Sequence, residues 1–135
     1  MAQDKTPGTV LVTGAGRRLG RTIALDFANR GWRVGVHYRA SAADASDLVA
    51  EIERKGGKAA AFAADLGRLD ALAPLIKACA EALGPPTCLV NNAARFEWDT
   101  LATLAGETWQ AHLDVQPQGA YFPHPGLCQG PAGGA

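Results

Sequence analysis

Residues 9–20, T-V-L-V-T-G-A-G-R-R-L-G, constrain this chain more than any other stretch. Val10, Leu11 and Val12 favour β-structure and carry no charge, the mark of a strand buried on both faces. Gly14 and Gly16 then allow a tight turn. From Leu19 a helical pattern through Ile23, Ala24, Leu25 and Phe27 runs to a stop at Gly31. A strand, a glycine turn and a helix start in succession aim unpaired N–H groups and the positive end of a helix dipole at one point, a natural phosphate site. The bland alternative is an ordinary tight turn between strand and helix.

The rest of the chain repeats the alternation. Residues 32–38 read as a second strand centred on Val34 and Val36, and a helix with Leu48, Val49 and Ile52, capped by Asp44 or Ser46, stops at Gly56 and Gly57. Residues 58–63 form a short, alanine-rich third strand. Leu69, Leu72, Ile76, Cys79 and Leu83 then recur at helical steps, with Pro74 in the first turns, where a missing N–H matters little. After Pro85 and Pro86, residues 87–90 make a fourth strand. Strands alternating with helices, joined by right-handed crossovers, give an α/β fold with a parallel, doubly wound sheet.

The end of the second strand bears on ligand choice. In dinucleotide-binding folds an acidic residue about 20 positions past the glycines accepts the ribose hydroxyls of NAD, whereas a basic one accommodates the 2′-phosphate of NADP. Here the segment is His37, Tyr38, Arg39, Ala40, Ser41, with no carboxylate until Asp44. The Arg39 guanidinium and the Ser41 hydroxyl suit a phosphate, which favours NADP(H); a solvated arginine at a strand end is the competing reading. Thirteen basic and thirteen acidic residues cancel, so no global field draws the chain to nucleic acid or a membrane surface, and a small neutral-to-anionic ligand is the expected partner. No segment approaches the roughly 20 apolar residues of a membrane span and the N-terminus has no apolar leader core, which points to the cytoplasm. Cys79, Cys88 and Cys128 lack metal-site or disulfide-framework spacing, so no metal is expected.

The glycine turn resembles the T-G-x-x-x-G-x-G turn of the short-chain dehydrogenase/reductase family, with Arg18 in place of the middle glycine, as in the pteridine-reductase-like branch. Asn91, Asn92, Ala93 and Ala94 are similar to that family's N-N-A-G turn, and H-Y-R-A-S resembles the cofactor-selecting loop of the same branch. The resemblance implies a Rossmann-type sheet and NADPH-dependent reduction of a small carbonyl or pterin-like substrate. It also implies roles by position. Gly14, Arg17, Arg18, Leu19 and Gly20 would hold the pyrophosphate and neighbouring groups; His37, Tyr38, Arg39 and Ser41 the 2′-phosphate side; Asp65 and Leu66 the adenine; Asn91, Asn92 and Ala93 the ribose side. Arg18 and Phe96 would meet the substrate, although Phe96 reads equally as a loop anchor, Trp98 is an alternative aromatic, and Asp65 suits a helix N-cap as well.

Past Val115 the pattern fails. The family's asparagine and apolar helix are replaced by Gln116, Pro117, Gln118, Gly119, Ala120, Tyr121, and further prolines at 123 and 125. An irregular tail over 116–135 is expected after a nucleotide-binding portion over 1–115, because each proline would interrupt a helix. Codons for residues 116–120 exist that read N-L-K-A-P in a shifted frame, so small insertions or deletions after Val115 would account for the tail. The family's Tyr-x-x-x-Lys proton donor has no counterpart: Pro125 stands where Tyr121 would need its lysine, no lysine follows Lys77, and no serine follows Ser46. The expectation is a four-stranded, incomplete Rossmann sheet, catalytically silent by itself, lacking the helices through which the family forms homo-oligomers. A non-catalytic NADP-binding or regulatory protein, or a non-functional product, are the alternatives.

Overall fold

The computed structural model describes residues 6–95, 98 and 100–120. Its elements alternate as β1 (Thr9–Val12), α1 (Arg18–Asn29), β2 (Arg33–Tyr38), α2 (Ala42–Arg54), β3 (Ala59–Ala63), α3 (Leu72–Leu83), β4 (Pro86–Val90) and α4 (Gly106–Ala120), with a single 3-10 turn at Leu69–Ala71 before α3. The sheet runs β3-β2-β1-β4 and every pairing is parallel. This is the Rossmann-type α/β arrangement the sequence predicts.

The two-residue period of the strands sorts the core into two layers. Val10, Val12, Val34 and Val36 face α1 and α2, packing with Ala24, Ala45, Leu48 and Ile52. Leu11 points the other way, onto Leu72, Leu75, Cys79 and Leu83 of α3. β1 is buried along its whole length, as a central parallel strand covered on both faces must be. Gly35, in the middle of β2, lets α3 lie close: a Cβ there would stand 2.9 Å from the Cys79 sulfur and 3.1 Å from Leu11 Cδ1. Burial pushes the Cys79 thiol up to about 11. At the far end of the sheet the buried Thr9 hydroxyl donates to the Leu83 carbonyl at 2.9 Å, satisfying an acceptor left over at the end of α3.

Three sequence expectations need correction. α2 starts at Ala42, earlier than Asp44 or Ser46 as caps would require; Ser41 occupies the cap position without a side-chain bond, and Asp44 sits inside the first turn, where a carboxylate complements the helix dipole. Asp65 is no helix cap either, since its Oδ1 accepts the Gly67 N–H at 3.0 Å in a local turn ahead of the 3-10 segment. The third concerns α4, which continues through Gln116 and Pro117 to Ala120 where an irregular chain was expected. A proline deletes one backbone donor, and a helix of 15 residues sustains that loss near its end. The remaining residues of the expected tail, 121–135, lie outside the described residues.

The close approach of β2 and α3 yields a test. Gly35→Ala should lower unfolding free energy by about 1–3 kcal/mol through overpacking. Chemical denaturation of Gly35→Ala, Cys79→Ala and the double variant should show part of the loss restored when the sulfur is removed.

Candidate nucleotide-binding site

The C-terminal ends of the strands meet at a cleft of about 660 Å³. In an open parallel sheet this is where ligands bind, since helix N-termini converge there and adjoining crossovers leave a crevice. Two turns form its floor. The one after β1 carries Thr13 and Gly14; the one after β4 carries Asn92 and Ala93.

Their union depends on hydrogen bonds the strands leave unmade. The Thr13 hydroxyl accepts the Asn92 and Ala93 amides, both at 3.0 Å, and lies 3.3 Å from the Val90 carbonyl, to which it donates. The Asn92 side-chain amide donates to the Thr13 and Gly14 carbonyls at 3.1 and 3.2 Å. Such contacts need backbone without side chains. Gly14 adopts φ +63°, and a Cβ there would fall 2.9 Å from Ala93 Cα. A Cβ on Gly20 would collide with the Gly14 carbonyl and come within 2.5 Å of Asn92 Nδ2. Gly16 differs, having only ordinary contacts with α2 around it.

Arg18 stands at φ +51°, the only non-glycine residue with positive φ among those described. A left-handed backbone costs an L-residue about 1–2 kcal/mol, so a glycine would fit this position more readily, and the strain accompanies a cationic side chain at the cleft. Arg17, Arg18, Arg39 and Arg95 line the cleft against one carboxylate, Asp65, among the described lining residues. A chain of zero net charge thus places four of its thirteen basic residues at this mouth. The Arg17 guanidinium is paired with Asp44 of α2, and Arg21 with Glu51, so both ion pairs tie α1 to α2.

Of the residues expected here, Gly14, Arg17, Arg18, Leu19, Gly20, His37, Arg39, Asp65, Leu66, Asn92 and Ala93 line the cleft. Tyr38 instead packs against the core beneath α1 and α2, Ser41 sits at the cap position of α2, and Asn91 is exposed outside the lining. Leu66 serves both cleft and core, being 4% exposed in the α3 layer. Leu19, read as the first apolar position of its helix, is 65% exposed and faces the ligand space. Phe96 lies outside the described residues. Sequence reasoning missed Ala64, Ala94, Arg95 and Val115, which also line the cleft. The placement of Arg95 just past the second turn was a usable signal, whereas Val115 arrives from α4 and had none.

No described helix is long and apolar enough to cross a membrane. The described residues hold no grouping of three or more His, Cys, Asp or Glu that could bind a metal.

Comparison with known proteins agrees with this geometry. The short chain dehydrogenase family profile matches residues 8–124. The 3-oxoacyl-[acyl-carrier-protein] reductase FabG of Staphylococcus epidermidis is 34% identical over 113 residues, which are 84% of this chain and 46% of that protein. Among solved structures, FolM alternative dihydrofolate reductase 1 from Brucella canis, complexed with NADP, superimposes with a TM-score of 0.79 at 32% identity, covering 88% of this chain and 47% of that one. A short chain dehydrogenase from Burkholderia cenocepacia in complex with NADP gives 0.78 at 35% identity, over 84% and 46% respectively. The chain spans about half the length of the curated relatives it matches.

The seam between the turns predicts an asymmetric response at Thr13. Thr13→Val keeps the shape but removes the acceptor of the Ala93 amide and leaves the Asn92 amide only its 3.1 Å bond to the Val90 carbonyl, and should cost about 1–3 kcal/mol of unfolding free energy. Thr13→Ser retains the oxygen and should stay within about 1 kcal/mol of the parent in the same denaturation experiment.

Proposed function

The chain belongs to the short-chain dehydrogenase family, and from that premise we propose that it is the NADP(H)-binding half of an oxidoreductase. The observation that carries this reading is the set of arginines around a glycine turn at the strand ends, with Arg39 just past β2, where a dinucleotide fold meets the adenosine ribose. A fourfold cationic mouth suits a ligand with a pyrophosphate and a further phosphate, and Arg39 can form two parallel bonds to such a group. The turn fits as well. Without a Cβ at Gly14 and Gly20 the backbone stays low, leaving the positive end of α1 open toward a pyrophosphate. The two solved relatives held in complex with NADP support the same assignment.

NADPH, when bound, supplies a hydride for transfer to a carbonyl or imine carbon. The residues of this chain bind and orient. Arg17, Arg18 and the amides at the start of α1 hold the phosphates, Arg39 with Ser41 takes the 2′-phosphate, Asp65 and Leu66 border the adenine, and Asn92 and Ala93 fix the ribose side. An intact version of this chain would reduce a small carbonyl or a pterin-like ring, a class supported by the likeness to a dihydrofolate reductase. Arg18, at the cleft, would be one of its contacts; Phe96, the other expected contact, lies outside the described residues.

Within these 135 residues no lysine follows Lys77 and no serine follows Ser46, so the family's proton-donating set has no counterpart. The chain by itself therefore binds the cofactor without turning over, with residues 1–115 as the binding portion.

Calorimetric titration tests the cofactor choice. Arg39→Ala should weaken NADPH about 10–100-fold, the worth of a hydrogen-bonded charge pair, and leave NADH within about threefold. Equal losses for both nucleotides would remove Arg39 from the 2′-phosphate.

A further inference from the structure

His37 carries a feature that a phosphate contact does not explain. It stands in β2, 2% exposed, with both ring nitrogens engaged by backbone. Nδ1 lies 3.0 Å from the Gly14 amide nitrogen, and Nε2 lies 2.9 Å from the Ala64 carbonyl oxygen. The His37 carbonyl in turn accepts the Ala15 amide at 3.0 Å. One residue thus holds two successive amides of the glycine turn and reaches across to the end of β3.

Its neighbours fix the state of the ring. A backbone amide can only donate and a carbonyl can only accept, so Nδ1 must offer its lone pair to Gly14 while Nε2–H donates to Ala64. This is the neutral ring. A proton on Nδ1 would set one donor against another at a buried contact, and the Gly14 bond would be lost.

We propose that His37 is a positioning residue which holds the glycine turn in its binding shape only while its ring is neutral, so that acid releases the turn and weakens nucleotide affinity. The affinity part rests on the NADP(H) reading above; the release of the turn stands independently. Burial holds the ring's proton affinity below the ordinary value of 6.5, and the bond to Ala64 partly offsets this. Among the described charged residues lining the cleft with His37, Arg17 and Arg18 of α1, Arg39 after β2 and Arg95 after β4 oppose a further positive charge. Asp65 after β3 favours it, though one of its oxygens already accepts the Gly67 amide. Because the fold prefers the neutral ring, its contribution is complete above 6.5 and declines as the pH falls below that value toward the lowered one.

Two measurements decide the matter. Nitrogen NMR of the unmodified chain should show His37 protonated at Nε2 with Nδ1 accepting. The protection of the Gly14 amide, taken relative to its intrinsic exchange rate at each pH, should fall as the ring titrates, while protection at Val10 and Val34 stays high. A ring protonated at Nδ1, or a Gly14 amide indifferent to the titration, overturns the proposal. NADPH is then titrated against the parent and His37→Asn, whose side-chain oxygen can accept from Gly14 but cannot titrate. The 2′-phosphate itself titrates near pH 6, so the informative quantity is the ratio of the two dissociation constants at each pH. That ratio should grow in the variant's favour by up to about tenfold per pH unit once the ring protonates. A ratio constant from pH 8 to 5 contradicts the affinity part. If neither protein binds NADPH at any pH, the nucleotide reading fails, and Gly14 exchange still decides whether His37 holds the turn.

Discussion

Everything at the cleft depends on the contact between the turns after β1 and β4, where backbone meets backbone with almost no side chain between. Gly14 and Gly20 make room, and Thr13 and Asn92 fill the hydrogen-bonding gap on either side. A buried amide without a partner costs about 1–3 kcal/mol, so this seam concentrates a large share of local stability in a few atoms. It also determines function. Locking the two turns together fixes where α1 begins, and so where its positive end and the arginines around it point.

Electrostatics then act on that frame. The chain is neutral overall, yet its cleft collects four arginines, one of them held in a left-handed backbone. Strain of this kind persists only where the surroundings dictate the conformation. The surroundings here are the short passage from a glycine turn into α1 and the two ion pairs, Arg17 with Asp44 and Arg21 with Glu51, that bind α1 to α2. Arg17 therefore meets any incoming phosphate with a carboxylate already beside it, whereas Arg39 comes from the end of β2.

How much could be read from the sequence depends on how local each cause is. The β1 apolar run, the glycine turn and the breaks near Gly31, Gly56 and Pro85 act over a few residues, and the order of strands and helices was legible from them. Asn92 was recognisable because its neighbours form a distinctive turn, and the arginines because their spacing from the glycines is meaningful. The helical stretch over Pro117 was not legible, since a proline's cost is set against the rest of its helix. Ser41 took the cap position expected of Asp44 or Ser46 because capping depends on where a helix begins, which short polar segments leave open by one turn. The ring contacts of His37, and the arrival of Val115 at the cleft, arise between elements distant in sequence, where no spacing rule reaches.

On the proposed function, the arginine-lined mouth above these two turns binds a 2′-phosphorylated dinucleotide. The most direct test of this is a map of backbone amide shifts as NADP⁺ is added to the 135-residue chain. Binding there produces saturable changes at Gly16, Leu19, Gly20, Arg39, Leu66 and Ala93, with Gly56 and Gly57 at the opposite end of the sheet unmoved. A folded chain whose amides stay put, or whose changes gather around Gly56 and Gly57 instead, would contradict it.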